Sequence, residues 1–376
     1  MPWRDDKVEL RRLLVSAVGE GRRDISGLCR EFGISRTCGY KWLRRYAAEG
    51  ASGLLDRSRR PHRVCGGTSE AVEALIVEDR GRHPAWGARK LRRRLEGKVL
   101  EVPSERTVNR ILSRHGLVSG ARRGESDLVT RFERSHPNDL WQIDHKGAYH
   151  GRWGVRAVPL SVLDDCSRYL IGLRSLGDKG LASTWGALWD LLGEFGLPDS
   201  VLTDNDQVFR GEAGPSRVEA NFLRLGIAVL HGRPYHPQTQ GKVERFHGTL
   251  VREVMIPRSF KSFGDLQELF DRFREEYNYS RPHEALGLST PGSRYVPSVR
   301  CRPGVLPEME YGGGAVLRKV NAWGRISLRK RQLAVGRGLC GERVEVRETV
   351  SGVDIYYGRY HILHFGLEEM FGGWKS

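Results

Sequence analysis

The sequence lacks the marks of several protein classes. Its six cysteines form no Cys-x-x-Cys pair, so neither a disulfide framework nor a zinc site built on cysteine pairs is expected. Its most apolar stretch, from Ala157 to Leu163, is far shorter than the roughly 18 residues that span a bilayer. The N-terminus is charged from Arg4 onward and has no apolar signal-peptide core. We therefore expect a cytoplasmic protein that does not contact a membrane.

Signatures of several enzymes that act on DNA or ATP are also missing. No His-x-x-Arg sequence occurs, which argues against a tyrosine recombinase. No two histidines stand one residue apart, which argues against a HUH nuclease. There is no P-loop, so any ATP-using regulator is expected to be a separate protein.

Positive charge is abundant and unevenly distributed. The net charge is +16, and residues 1–135 carry 30 Lys and Arg against 18 Asp and Glu. Residues 136–300 carry 20 of each, and residues 301–376 carry 12 against 8. Two basic flanks around a neutral centre favour a nucleic-acid partner over ordinary solvated surface charge.

The N-terminal region has the pattern of a helix-turn-helix. An apolar stripe predicts a helix over 7–18, and the stretch from Asp24 to Tyr46 predicts a short helix, a turn at Gly33 and a second helix capped by Ser35. Such a second helix can enter a DNA major groove, although other three-helix domains share the pattern. The residues expected on its outer face are Arg36, Thr37, Tyr40, Lys41 and Arg44.

A short basic segment follows and leads to a second helical region. Arg57, Arg59 and Arg60 either lie along DNA phosphates or belong to a plain tether. Residues 61–118 are predicted to form either a second helix-turn-helix, resembling a winged helix, or a helical spacer. Residues 1–60 then form the first DNA-binding domain, and the polar residues 119–138 form a linker.

The remainder changes from helical to mixed texture. Three strand-like runs followed by alternating helices and strands predict an α/β core over 139–298. Glycine-separated short strands predict a small C-terminal β-barrel over 299–376. The predicted fold is therefore multidomain, with all-α helix-turn-helix units, an α/β core and a barrel.

Three acids lie where α/β folds place their sites. Asp144 lies in the first strand of the core, Asp204 directly follows another strand, and Glu244 lies in a helix. Three converging carboxylates suit two hard divalent cations, which can assist an in-line phosphoryl displacement. On the same helix, Lys242 and Arg245 are expected to contact DNA, the alternative being plain surface charge.

The sequence stretches around these acids resemble a known family. The stretches 141–145, 202–206, 233–250 and 277–283 resemble the DDE transposases and integrases of the retroviral integrase superfamily. With the N-terminal helices, the chain most resembles IS481-type insertion-sequence transposases, which are close to the IS3 group. The resemblance implies an RNase H-like core, a catalytic and metal-binding triad of Asp144, Asp204 and Glu244, and Mg²⁺ or Mn²⁺ as two ions per site. It also implies exposure of a 3′-OH at an element end and its attack on target DNA.

Departures from the family pattern leave alternatives open. Between Asp204 and Glu244 lie 39 residues, where such families usually have roughly 35. Asp206 stands where the family usually has glycine, and it is either a turn residue or an extra metal ligand. His236 and His247 either contact phosphate or pack internally, and Asp164 and Asp165 are assigned to a turn.

The sequence is compatible with one main function and two alternatives. We expect a bacterial, DNA-associated transposase that binds double-stranded DNA, both element ends and target, as at least a homodimer. A transposase-derived regulator that binds DNA without strand transfer is the first alternative. A general RNase H-like nuclease is the second, and the N-terminal DNA-reading units argue against it.

Overall fold

The computed structural model describes residues 7–22, 24–58, 67–118, 133–232 and 241–371. The chain divides into two compact units, Met1–Gly67 and Thr68–Ser376. Of the helices in the described part, none is both long enough and apolar enough to cross a membrane.

The first unit is the predicted helix-turn-helix. The Ser35 hydroxyl accepts a hydrogen bond from the Cys38 N–H, which confirms the predicted cap, and Gly33 makes the turn with a φ of 63°. Trp42 is buried, and the Arg11 guanidinium lies 3.8 Å from the centre of its ring. The elements are α1 (Lys7–Gly19), α2 (Ile25–Glu31), α3 (Arg36–Glu49) and a 3-10 turn (Gly50–Leu54).

The second unit begins with three more helices around a core of their own. Trp86 and Ile76 are fully buried at its centre, and the Ser104 hydroxyl caps the last helix by accepting from the Thr107 N–H. These helices are α4 (Glu70–Arg82), α5 (Ala88–Leu95) and α6 (Glu105–Arg114).

The central α/β region agrees with the prediction of a mixed sheet. Helix α9 continues directly into a π-helical turn, Val251–Met255, and α10 into another, Glu276–Ser280. The strands are β1 (Trp141–His145), β2 (Tyr149–His150), β3 (Arg156–Asp164), β4 (Leu170–Leu176), β5 (Ser200–Thr203) and β6 (Ala228–His231). The helices are α7 (Leu181–Phe195), α8 (Arg217–Arg224), α9 (Gly241–Leu250) and α10 (Phe263–Glu275), with 3-10 turns at Arg152–Gly154, Glu284–Leu286 and Pro291–Ser293.

Strand β1 lies in the middle of this sheet. It pairs antiparallel with β3 and parallel with β5, and β5 pairs parallel with β6. β3 also pairs antiparallel with β2 and β4. One face of the sheet packs against α7 and α8, and the other packs against α9 and α10. Both faces are therefore covered, and the helix that carries Glu244 lies on the second face.

The C-terminal region does not confirm the prediction of a small barrel. Its four-stranded antiparallel sheet has the order β7-β10-β11-β12 and is open within the described residues, and a separate hairpin, β8-β9, packs on the same apolar core. Ala220 of α8 belongs to this core and Leu223 packs against it, so the sheet and the hairpin share their apolar core with the α/β region. The elements are β7 (Leu317–Lys319), β8 (Arg325–Leu328), β9 (Arg331–Ala334), a 3-10 turn (Arg337–Leu339), β10 (Arg343–Thr349), β11 (Gly352–Tyr357), β12 (Tyr360–Gly366) and α11 (Leu367–Phe371).

Candidate active site and nucleic-acid interface

Asp144 is presented by the central strand. Side chains alternate between the two faces of a strand, and Trp141 and Ile143 are buried in the core on the α7 face. Asp144 therefore points to the opposite face, towards α9. Its side chain is 16% exposed, so it reaches a cleft while remaining mostly surrounded by protein.

Asp204 lies beside Asp144 because their strands are parallel neighbours. Ile143 pairs in register with Thr203, and each aspartate is the next residue in its strand direction. Burial, and then the charge of Asp204, raise the pKa of Asp144 from 3.8 to about 7. Burial also raises the pKa of Asp204. A cation bound between these two acids would offset both the burial of their charges and the repulsion between them.

Glu244 approaches Asp144 from helix α9. It is exposed in the first turn of the helix, whereas its neighbours Val243 and Phe246 are buried against the sheet. Glu244 and Asp144 line one open cavity of about 460 Å³. The other lining residues are His145, Lys146, Gly147, His247, Gly248 and Val251.

The structure brings the three predicted acids together in pairs. Asp144 is close to Asp204 at the strand ends and shares the cavity with Glu244. Among the described residues, no group of three or more His, Cys, Asp or Glu side chains is arranged to hold one metal ion. The oxygen donors and the raised pKa of Asp144 nevertheless fit a hard divalent cation between the first two acids.

His247 packs inside the protein. It is 6% exposed, its Nε2 lies 2.7 Å from the Ser161 hydroxyl, and its Nδ1 lies 3.5 Å from a carboxylate oxygen of Asp144. Burial lowers the pKa of His247 from 6.5 to about 4, so the ring is neutral at physiological pH. Of the two readings of His247, internal packing fits these contacts better than contact with phosphate. His236 lies outside the described residues.

The two basic residues predicted to contact DNA from α9 have different surroundings. Arg245 is exposed. The side chain of Lys242 is only 13% exposed, and its ammonium lies 2.6 Å from a carboxylate oxygen of the fully buried Asp165. Lys242 is therefore engaged inside the protein and does not face solvent as its place in the motif suggested.

Asp164 and Asp165 do more than form the predicted turn. Both are 0% exposed. Asp164 accepts hydrogen bonds from the backbone N–H groups of Asn138 and Ser167, at 2.8 and 2.7 Å. Nothing in the sequence could have assigned Asp165 to Lys242, because 77 positions separate them.

Asp206 is paired with a lysine of its own. Its carboxylate lies 2.6 Å from the Lys179 ammonium, and its backbone N–H donates to Asp204 at 3.1 Å. The Asp206 backbone carbonyl accepts from the N–H groups of Phe209 and Arg210. These contacts fit the role of Asp206 as a turn residue. Its carboxylate is paired with the Lys179 ammonium.

The outer face of α3 has the exposure that DNA contact requires. In the basic segment that follows α3, Arg57 forms an ion pair with Glu49. Arg59 and Arg60 of that segment lie outside the described residues. Buried Gly39 and Trp42 lie on the inner side of α3. The exposed residues on the outer side are the predicted Arg36, Thr37, Tyr40, Lys41 and Arg44.

Known protein families match the N-terminal helical region and part of the α/β core. The family described as Integrase core domain matches residues 225–291, which include Glu244. A helix-turn-helix domain family matches 10–62, and a homeodomain-like domain family matches 38–112.

Curated relatives come from mobile elements. The transposase for transposon Tn552 of Staphylococcus aureus is 23% identical over 73% of this chain, and the match spans 64% of that protein. An uncharacterized 31.7 kDa protein of insertion element IS407 from Burkholderia multivorans is 26% identical over 59% of this chain and 80% of that protein. An uncharacterized protein of insertion element IS476 from Xanthomonas euvesicatoria is 25% identical over 59% of this chain and 64% of its own length.

Solved structures include more distant likenesses. An HTLV-2 integrase catalytic core domain in complex with magnesium covers 42% of this chain and 97% of its own, with 16% identity and a TM-score of 0.34. A simian T-cell lymphotropic virus intasome chain covers 78% and 98%, with 13% identity and a TM-score of 0.39. The partial family matches and the mobile-element relatives support the predicted resemblance to the DDE transposases of the integrase superfamily.

Proposed function

We propose that the protein is a DNA transposase of the IS481 type, close to the IS3 group. It binds the terminal inverted repeats of an insertion sequence, cleaves at the 3′ ends and transfers those ends into target DNA. The observation that carries the proposal is the meeting of Asp144 and Asp204 at neighbouring strand ends, with Glu244 across the same cavity from Asp144.

The chemistry follows from the carboxylates. Asp144, Asp204 and Glu244 would hold Mg²⁺ or Mn²⁺, two ions per site. Such ions, when bound, activate the attacking oxygen and stabilise charge on the leaving 3′ oxygen. The protein contributes position: the sheet fixes Asp144 and Asp204, and α9 supplies Glu244 from the opposite wall. Neutral His247 lies beside Asp144 and adds no positive charge there.

DNA recognition is assigned to the helical units. The exposed face of α3 has cations and polar side chains for phosphate and base contacts in a major groove, and Arg245 is an exposed cation that follows Glu244 in α9. Because two element ends must be processed together, the working form is at least a homodimer on double-stranded DNA. The domain limits predicted from the sequence, 1–60, 61–118, 139–298 and 299–376, belong to this proposal.

The test is cleavage and joining of DNA that carries the element's ends, in Mg²⁺ or Mn²⁺. Asp144→Asn should lower joining by at least about 100-fold while end binding stays unchanged, because the amide keeps the shape and loses the charge. Asp190→Asn, on the exposed side of α7, is the matched control and should join normally. Joining by Asp144→Asn would contradict the mechanism. Tight end binding without cleavage by the unmodified protein would favour the regulator.

A further inference from the structure

A buried polar network joins the strand that carries Asp144 to the helix that carries Glu244. Its centre is Asp165, which is 0% exposed at the end of β3. One Asp165 carboxylate oxygen lies 2.6 Å from the Lys242 ammonium and accepts from the Arg134 backbone N–H at 2.8 Å. The other accepts from the Gln142 side-chain amide at 2.8 Å. Both carboxylate oxygens of Asp165 therefore have partners inside the protein.

Gln142 extends the network to the backbone of α9. It is 2% exposed, and its side-chain oxygen accepts from the Val243 N–H at 3.3 Å. The first N–H groups of a helix have no acceptor within the helix, so Gln142 caps α9 from the central strand. Gln142 lies two residues before Asp144 on the same face of β1, and Val243 directly precedes Glu244. One side chain thus links the backbones that present the two acids.

The ion pair fixes geometry more than it stabilises the fold. Removing two charges from water is costly, and well-packed apolar residues often stabilise an interior equally well. Burial accordingly lowers the pKa of Lys242. What the pair adds is direction, because Lys242 donates to both the carboxylate and, at 3.1 Å, the backbone carbonyl of Asp165. At the other end of α9, His247 bonds to Ser161 of β3 at 2.7 Å, so Glu244 lies between two polar tethers.

We propose that Lys242, Asp165 and Gln142 are positioning residues: they hold the first turn of α9 against the sheet and so set where Glu244 lies relative to Asp144. The inference rests on the proposed function for its catalytic consequence. The attachment of α9 is a structural claim that can be measured without catalysis.

The structural test is hydrogen exchange on the full chain without metal or DNA. In Lys242→Met, the amides of Val243 and of residues 245–247 should exchange about tenfold faster, while those of α10 stay unchanged. The matched control is Arg217→Met, which breaks the 3.0 Å pair with Glu342 at the C-terminal sheet and should leave α9 unchanged. Unchanged exchange of α9 in Lys242→Met would overturn the proposal, whether or not the protein joins DNA.

The catalytic test is the Mg²⁺ dependence of joining. Loss of a residue that orients a metal ligand typically weakens metal affinity by about 10- to 100-fold, so Lys242→Met should raise the half-saturating Mg²⁺ concentration by at least about tenfold, with end binding unchanged. An Mg²⁺ requirement within about twofold of the unmodified protein's would refute the positioning role. If Lys242→Met does not fold, Gln142→Leu decides by the same two measurements, since it removes the cap and leaves the ion pair.

Discussion

Helices α3 and α9 carry similar-looking basic residues, yet they use them differently. On α3, Lys41 and Arg44 are exposed on the face opposite buried Trp42. On α9, Lys242 is bound to a buried aspartate, and the exposed acid Glu244 faces the cavity. The exposed face of α3 can therefore contact another molecule, whereas α9 is held against the sheet by polar contacts with Asp165 and Gln142. A cation in a sequence motif can therefore be assigned to DNA contact only after the structure shows whether it is paired with an acid inside the protein.

The sharpest separation between the two helices is expected from Glu244→Gln. The amide cannot supply the negative charge that the proposed site requires, so joining should fall by at least about 100-fold while end binding stays within about twofold. Joining assays and electrophoretic mobility shifts measure the two properties on one preparation. Glu268→Gln, exposed on α10, serves as the control. A parallel loss of DNA binding would contradict the division of labour between α3 and α9.

The second unit contains a buried histidine that should make its stability depend on pH. His283 is 8% exposed beside α10, and burial, followed by the charges of Arg281 and Lys90, lowers its pKa to about 3. The unfolded chain binds the proton below about pH 6.5 and the folded chain does not. The contribution of His283 to the free energy of unfolding therefore falls by about 1.4 kcal/mol per pH unit below that point, until the pH approaches the folded pKa.

Thermal unfolding of the full chain at pH 7, 6 and 5 measures this slope. His283→Gln should flatten it, although loss of the 3.3 Å contact with the Tyr277 carbonyl can lower stability at every pH. His136→Gln is the control, because the His136 side chain is 80% exposed. An acid slope that is the same in the unmodified protein and in His283→Gln would mean that His283 does not contribute.

The contrast between α3 and α9 also marks what the sequence could predict. The face of α3 depends on residues three and four positions apart, and the cap at Ser35 serves an N–H three residues away, so both were readable locally. The attachment of α9 depends on partners 77 and 101 positions away, and no periodicity reports them. The same holds for the C-terminal sheet, whose strands were partly predicted but whose apolar core includes Ala220 of the distant helix α8.

A smaller effect is expected from the outer face of α3. Removing two cations with Lys41→Ala and Arg44→Ala together should weaken end binding about tenfold and reduce the salt dependence by about two units of slope, if both contact phosphate. Titrations at several salt concentrations measure both quantities. Arg12→Ala removes an exposed cation from α1 and should change neither. An unchanged salt slope in the double variant would remove α3 from the DNA interface.

The smallest effect tests how each helix begins. Ser35 caps α3 from the adjacent position, and its loss in Ser35→Ala should cost the N-terminal unit about 1 kcal/mol. Hydrogen exchange should then speed up at the Cys38 amide and its neighbours, while the amides of α9 keep their protection. Ser293→Ala, at an exposed 3-10 turn, is the control. Because α9 is capped from β1 by Gln142, a Ser35→Ala effect confined to α3 would show that the two helices are stabilised independently, one by its own sequence and the other by the sheet.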